Sequence, residues 1–416
     1  MDSPPVAPPS LDVLMKRTSA GDMFRLAAAY LRETAPTDGG RRPSAPFAVL
    51  PQFRACVRLD PESIRLYFAH LHPRSNVRTR AVRALLLAAA RAPLAKAAAF
   101  NGPAARALGG ASAYDPSADY PDVDWSSVDV LLAEWQFVGV FSGRAGTVSH
   151  VLIDDKYERC LQNEVEARES LAAWVSAPPV LRAHQVGSVK GWTEPFLLND
   201  ATLDARRDPF DELQAMLCVA YAATAEETEV VDYVDRLEER ADRLYPAGAG
   251  AAETVGDPLR RILVEVRAQA EREGAGSVPI ARCHGDLNLG QVVVVGGDKA
   301  LIDWSESEPA VAFHDYVYNA LWRHGWDDLS AYPDIPWLRV LQSGLRDALG
   351  RVSPRLAAGL VLAEVALKQH VDYNERRGTI KTWTRLADHY LASSPPNSPT
   401  PERVRSSFPA PSGHPA

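Results

Sequence analysis

The sequence predicts an α+β chain in which a small β-rich segment sits between helix-rich regions. Three observations predict it. Residues 128–155, "VDVLLAEWQFVGVFSGRAGTVSHVLIDD", are dense in Val, Phe, Trp and Thr around a glycine-bearing turn, as a β-hairpin requires. From about residue 207 onward, apolar residues recur at helical spacing through segments such as "DPLRRILVEVRAQAEREG" and "PRLAAGLVLAEVALKQHVDYNERR". One β-element, "RCHGDLNLGQVVVVGGDKALIDWSESEP" (282–309), interrupts those helices with a four-valine run, a Gly-Gly turn and a second apolar run ending on Asp303.

Five segments follow in order. Residues 1–10 and 394–416 are too rich in Pro and Ser for a core and read as disordered tails. Residues 11–127 read as an N-terminal helical region and linker. "LDVLMKRTSAGDMFRLAAAYLRE" has helical spacing, "DPESIRLYFAHL" opens on an Asp cap with Pro in the first turn, and "GGASAYDPSADYPDVDWSS" is loop-like. Residues 128–200 read as hairpin, helix ("KYERCLQNEVEARESLAAWV") and two further strands around "GSVKG". Residues 201–393 form the large helical part with the β-element set into it.

Whole-chain properties narrow the function. The 416 residues are 46% hydrophobic and 24% charged, values of a globular chain of two or three domains. The net charge of −8, with no basic stripe, argues against a nucleic-acid partner. Cys56, Cys160, Cys218 and Cys283 lie far apart without a C-x-x-C pair, which predicts a reducing, cytoplasmic setting rather than disulfides or a zinc ribbon. "MDSPPVAPPS" lacks the apolar core of a signal peptide, and no apolar run of about 18 residues predicts a membrane span.

The 282–309 element carries the chemistry. The start of one hairpin strand lies beside the end of the next, so Gln291 and Asp303 are expected side by side. With Asp286 nearby they make an all-oxygen set suited to Mg²⁺, which takes few protein ligands and leaves the rest to phosphate and water. On spacing alone, an ordinary hairpin that happens to carry two aspartates is the better account. His70 and His72 lack further ligands and read as a surface turn. Cys283 has no base and orienter beside it and reads as packing.

"HGDLNLGQ" followed by "LIDW" resembles the phosphotransferase family of aminoglycoside phosphotransferases, maltokinases and related small-molecule kinases. The family's loop reads His-Gly-Asp, four residues, then Asn; Gln291 takes the place of that Asn, as in the maltokinase-like pattern "HGDxHLGQ". The resemblance covers roughly residues 128–392. It implies a bilobal protein-kinase-like fold, with a small β-rich N-lobe at 128–200, a large helical C-lobe at 201–393 and the N-terminal helical region outside both. The implied activity is ATP- and Mg²⁺-dependent phosphorylation of a small-molecule hydroxyl on a sugar, amino-sugar or aminoglycoside-like metabolite. Carried over by position, Asp286 is the catalytic aspartate, and Gln291 and Asp303 are the metal ligands. Gly143 and Gly146 form the turn over the phosphates. Lys156 is the phosphate-binding lysine, unless an apolar residue such as Ile153 takes its place. Glu166, or else Glu164, is the helix glutamate paired with it, and "WTEPFLL" (192–198) is the adenine hinge. His284 holds the loop and Asp315 has a structural role. Ser305, Glu306, Glu308, Trp322, Arg323, His324, His370 and Asp372 are candidates to contact the acceptor. The alternative implied by a strand without an evident lysine is a non-catalytic kinase-like nucleotide-binding or regulatory protein.

Overall fold

A computed structural model describes residues 19–34, 45–71, 77–92, 96, 99–100, 110–134, 136–186, 189–197, 217, 219–246, 255–287, 291–295, 298–323, 352–369 and 377–392. Both tails, Cys218, His72, His324, His370 and Asp372 lie outside them. The chain divides into two compact units. The first holds Met1–Glu169, Ser176–Arg207 and Val292–Ser305, and the second Ser170–Val175, Asp208–Gln291 and Glu306–Ala416.

An antiparallel sheet organises the first unit. Its strands are β1 (Phe47–Leu50), β2 (Ala55–Arg58), β3 (Ser112–Tyr114), β4 (Val130–Ala133), β5 (Phe137–Ser142), β6 (Thr147–Leu152), β7 (Arg182–Val186) and β8 (Val189–Pro195), in spatial order β3-β1-β2-β4-β5-β6-β8-β7. The hairpin predicted at 128–155 and the two strands around "GSVKG" are present. The region read as helical and linker, however, supplies β1, β2 and β3 to the same sheet. The reason is burial on both faces: "FAVL" and "ACVR" are four-residue runs, every residue of each buried, so neither shows a period.

Alternate residues of β1 feed opposite cores. Phe47 and Val49 pack with Met23, Phe24 and Leu31 of helix α1 (Ala20–Thr34). Ala48 and Leu50 pack with Ile64 of α2 (Pro61–Leu66), with Tyr67 in its π-helical continuation, and with Leu86 of α3 (Val77–Arg91). Both capping motifs are explicit. The Ser19 hydroxyl accepts the Asp22 N–H at 3.1 Å while Asp22 accepts the Ser19 N–H at 3.2 Å. Asp60 accepts the N–H groups of Glu62 and Ser63 at 2.9 Å, as "DPES" predicts. A short helix, α4 (Pro116–Asp119), precedes β4, and α5 (Glu158–Leu171) follows β6.

The second unit is mainly helical around a small sheet, in keeping with the α+β class. It contains α6 (Val230–Leu244), α7 (Asp257–Glu273), α8 (His314–Arg323), α9 (Pro354–Gln369) and α10 (Arg377–Ala392). In α6 the residues Val230, Tyr233, Val234, Leu237 and Ala241 are buried, the stripe of a helix packed on one side. α9 is buried along most of its length, including Leu360, Val361, Leu362 and Ala363. The sheet orders β13 (Glu308–Val311), β10 (Ser277–Cys283) and β9 (Glu226–Glu229), all antiparallel. Sequence reading misses these three strands because Pro279 sits in the central one, Pro309 in β13, and β9 is "EETE". The predicted hairpin of β11 (Val292–Val295) and β12 (Asp298–Leu301) forms with Val292 opposite Leu301, and it belongs to the first unit rather than to the helical one. Among the described residues no helix is long and apolar enough to cross a membrane.

Candidate active site

β10 delivers the His284–Asp286 loop, and α8 fastens it. Asp315, fully buried in the first turn of α8, accepts the backbone N–H of His284 at 2.8 Å and of Gly285 at 2.7 Å. The Tyr221 hydroxyl donates to the same carboxylate. Burial alone would raise the Asp315 carboxyl, but the charges of His314 and His284, the Tyr221 bond and Lys368 hold it below the usual carboxylate range. Gly285 has φ +102°, and a Cβ there would lie 2.2 Å from the Glu306 carbonyl oxygen. Only glycine fits. Asp315 thus fastens the loop through its backbone, and the His284 side chain is fully buried beneath it.

A buried polar network backs the loop. Lys368 donates to the Gly285 carbonyl at 3.4 Å, and Lys368 Nζ is 3.2 Å from His314 Nε2. His314 Nδ1 meets Glu364 at 2.5 Å, and Glu364 also accepts the Val311 N–H at 2.9 Å. Glu308, considered for acceptor binding, instead pairs with Arg240 at 3.0 Å and Lys368 at 3.9 Å. Cys283 is buried and its thiol is pushed well up by burial, which suits packing and not nucleophilic attack.

Asp286 emerges from this clamp with its side chain 29% exposed. Its Oδ1 accepts Gln291 Nε2 at 3.0 Å and lies 3.4 Å from His284 Nδ1. The Gln291 amide nitrogen thus steers the aspartate, and its amide oxygen is the atom suited to a cation. Gln291 and Asp303 flank the paired end of the β11–β12 hairpin, one residue before Val292 and two after Leu301.

Asp303 is exposed and has φ +65°, a left-handed backbone that aspartate tolerates better than most residues. Its Oδ1 accepts the Ser305 hydroxyl at 2.8 Å, and the Ser305 carbonyl accepts Asn163 Nδ2 of α5 at 3.0 Å. Among the described residues no group of three or more His, Cys, Asp or Glu side chains is assembled for a metal. A carboxylate and an amide oxygen fit Mg²⁺ with water and phosphate completing its shell, and they do not fit a soft metal.

The nucleotide-side candidates land differently. Gly143 and Gly146 bound the β5–β6 turn, but the Gly143 N–H, expected over phosphate, donates to buried Asp129 at 2.7 Å. Asp129 also takes the Ser63 hydroxyl at 2.6 Å, so a carboxylate of the chain already occupies that amide. Lys156 lies in a 3₁₀ turn before α5, half exposed, 4.0 Å from Asp154 and over the Tyr157 ring. Ile153 packs against the α1 core. Glu166 is exposed; the buried carboxylate of α5 is Glu164, and its cation is Arg168 at 2.7 Å, not Lys156.

What the sequence reading missed is His150 on β6, the strand before α5. His150 stacks on Trp192 with ring centroids 4.4 Å apart. Its Nδ1 lies 3.2 Å from Glu134 and its Nε2 3.4 Å from Glu194, and Glu194 in turn pairs with Arg168 at 2.5 Å. Carboxylates and cations alternate from Glu134 through His150, Glu194 and Arg168 to Glu164. Burial pulls the His150 pKa down, but the two carboxylates more than offset it and the net shift is well upward. Glu194, with three donors around it, is held low despite burial, whereas burial raises Glu164. No local pattern announces this set, because strand pairing joins His150 to Glu194 and the packing of α5 adds Arg168 and Glu164.

No protein-family model and no curated protein matches the chain. Among solved structures, it is similar to the aminoglycoside phosphotransferase APH(4)-Ia at 19% identity and a TM-score of 0.44, covering 64% of this chain and 93% of that one. It is similar to a glucosamine kinase in complex with glucosamine, ADP and inorganic phosphate at 18% identity and a TM-score of 0.35, covering 65% and 80%. It is also similar to choline kinase LicA from Streptococcus pneumoniae at 15% identity and a TM-score of 0.42, covering 63% and 91%. Likenesses this loose leave the assignment to the chain's own residues.

Proposed function

We propose that this chain is an ATP- and Mg²⁺-dependent O-phosphotransferase of the small-molecule kinase family that its motifs resemble. Its acceptor is a hydroxyl of a sugar, amino-sugar or aminoglycoside-like metabolite. The observation that carries this reading is Asp286, a partly exposed carboxylate at the end of a loop whose two preceding N–H groups are fixed on Asp315. A carboxylate held in this way orients an acceptor hydroxyl and takes its proton as the oxygen bonds to the transferred phosphorus and ADP leaves. Gln291 and Asp303 are the residues that would hold Mg²⁺, which when bound neutralises charge on the phosphates. The first unit then corresponds to the N-lobe, with the N-terminal strands added, and the second to the C-lobe. The test is phosphate transfer from labelled ATP across a panel of sugars and aminoglycosides. Asp286→Asn and Asp303→Ala should each abolish it, and activity surviving both changes overturns the assignment.

A second reading, a non-catalytic kinase-like nucleotide-binding or regulatory protein, draws on the closed Gly143 amide and on β6 carrying His150 and no lysine. Thermal shift with ATP, with and without Mg²⁺, separates the two. A Mg²⁺-dependent shift together with turnover favours the enzyme, and a shift without turnover favours the second reading.

A further inference from the structure

We propose that Asn163 is a positioning residue for the metal-binding carboxylate of Asp303, acting through Ser305. The inference rests on the metal-ligand reading of Asp303 given above.

Asp303 sits at φ +65°, in the left-handed region that a residue with a Cβ adopts only at a steric cost. The conformation persists only if its surroundings hold it. Two bonds do so. The Ser305 hydroxyl fixes Asp303 Oδ1 at 2.8 Å, and Asn163 Nδ2 fixes the Ser305 carbonyl at 3.0 Å. Asn163 is rooted on α5 next to Glu164, whose buried pair with Arg168 at 2.7 Å anchors that turn of the helix. The residue type also fits. An amide supplies a donor to the Ser305 carbonyl without adding charge beside Asp303. A lysine or arginine at this position would compete with a cation for the carboxylate. Asn163 therefore acts on the metal indirectly, through the orientation of its ligand, as outer-shell partners do.

The test measures Mn²⁺ binding by electron paramagnetic resonance, with and without ADP, and the Mg²⁺ concentration that half-saturates turnover. Asn163→Leu and Ser305→Ala should each weaken Mn²⁺ binding and raise the Mg²⁺ requirement by about 10-fold. The double variant should be no worse than the weaker single one, the acceptor KM of Asn163→Leu should be unchanged, and Asn163→Gln should recover part of the affinity. Melting temperatures are recorded for each variant. A folded Asn163→Leu variant with wild-type Mn²⁺ affinity overturns the proposal, as do losses that multiply in the double variant. Should Asn163→Leu fail to fold, Ser305→Ala decides in the same way. Asp303→Ala separates the two layers: if it binds Mn²⁺ normally, the metal-ligand reading fails, whereas if it loses Mn²⁺ and Asn163→Leu does not, only the role of Asn163 fails.

Discussion

The carboxylate of Asp315 accepts the backbone N–H of Gly285 at 2.7 Å from a fully buried position. With the His284 N–H on its other oxygen, it satisfies two successive donors that no strand partner reaches. The loop that presents Asp286 is therefore set by a side chain of α8.

Asp315→Ala should leave the Gly285 N–H buried without its acceptor and the His284 N–H with only the Tyr221 hydroxyl, at 3.0 Å. The expected cost is about 2–5 kcal/mol, read from urea unfolding, with turnover lost in whatever fraction remains folded.

Gly285 and Gly146 give a matched pair of tests. Both have positive φ, at +102° and +64°, but a Cβ on Gly285 meets the Glu306 carbonyl at 2.2 Å while one on Gly146 meets nothing within 4 Å. Gly146→Ala should cost about 1 kcal/mol from backbone strain alone. Gly285→Ala should cost several times as much and remove activity, because the carbonyl it strikes is main chain. Equal melting temperatures for the two variants would contradict this account.

Arg168 stands between Glu164 and Glu194, whose side chains are 1% and 8% exposed. Arg168→Met should destabilise by about 3–5 kcal/mol, since it strands two buried carboxylates. Adding Glu164→Gln should return part of the loss, and the double-mutant cycle measures how much.

His150 makes stability depend on pH. It faces Glu134 from the β4–β5 turn and Glu194 from β8, with Arg168 and Glu164 of α5 behind Glu194. Its folded pKa is raised, so the protonated form is favoured by folding. That contribution is complete below the unfolded value of about 6.5 and is lost as pH climbs through the raised folded value. The melting-temperature gap between the native chain and His150→Gln should be widest in mild acid and narrow toward alkaline pH.

Legibility in the sequence followed local pattern. The β11–β12 hairpin was readable because a valine run and an apolar run bracket Gly-Gly, and α2 because Asp60 and Pro61 announce its start. The His284–Asp286 loop and Asp303 were readable as a motif. β10 was hidden by Pro279, and β1 and β2 by burial on both faces. Glu164 and Arg168 stand at the i,i+4 spacing of a surface pair, which in most helices is solvated; only the packing of α5 buries them. His150, Glu134 and Glu194 belong to different strands and turns, so their meeting is a property of the sheet's register and not of any stretch of chain.

The N-terminal strands alter how this protein can be cut. β4 is paired along Val130, Leu131 and Leu132 with Val57, Cys56 and Ala55 of β2. Removing the chain before Val128 would turn β4 into an open edge of apolar residues and strip α1 from one face and α2 from the other. An edge of that kind invites self-association. The chain before Val128 is therefore no detachable module: a shortened protein beginning near Val128 should precipitate rather than retain a trimmed activity.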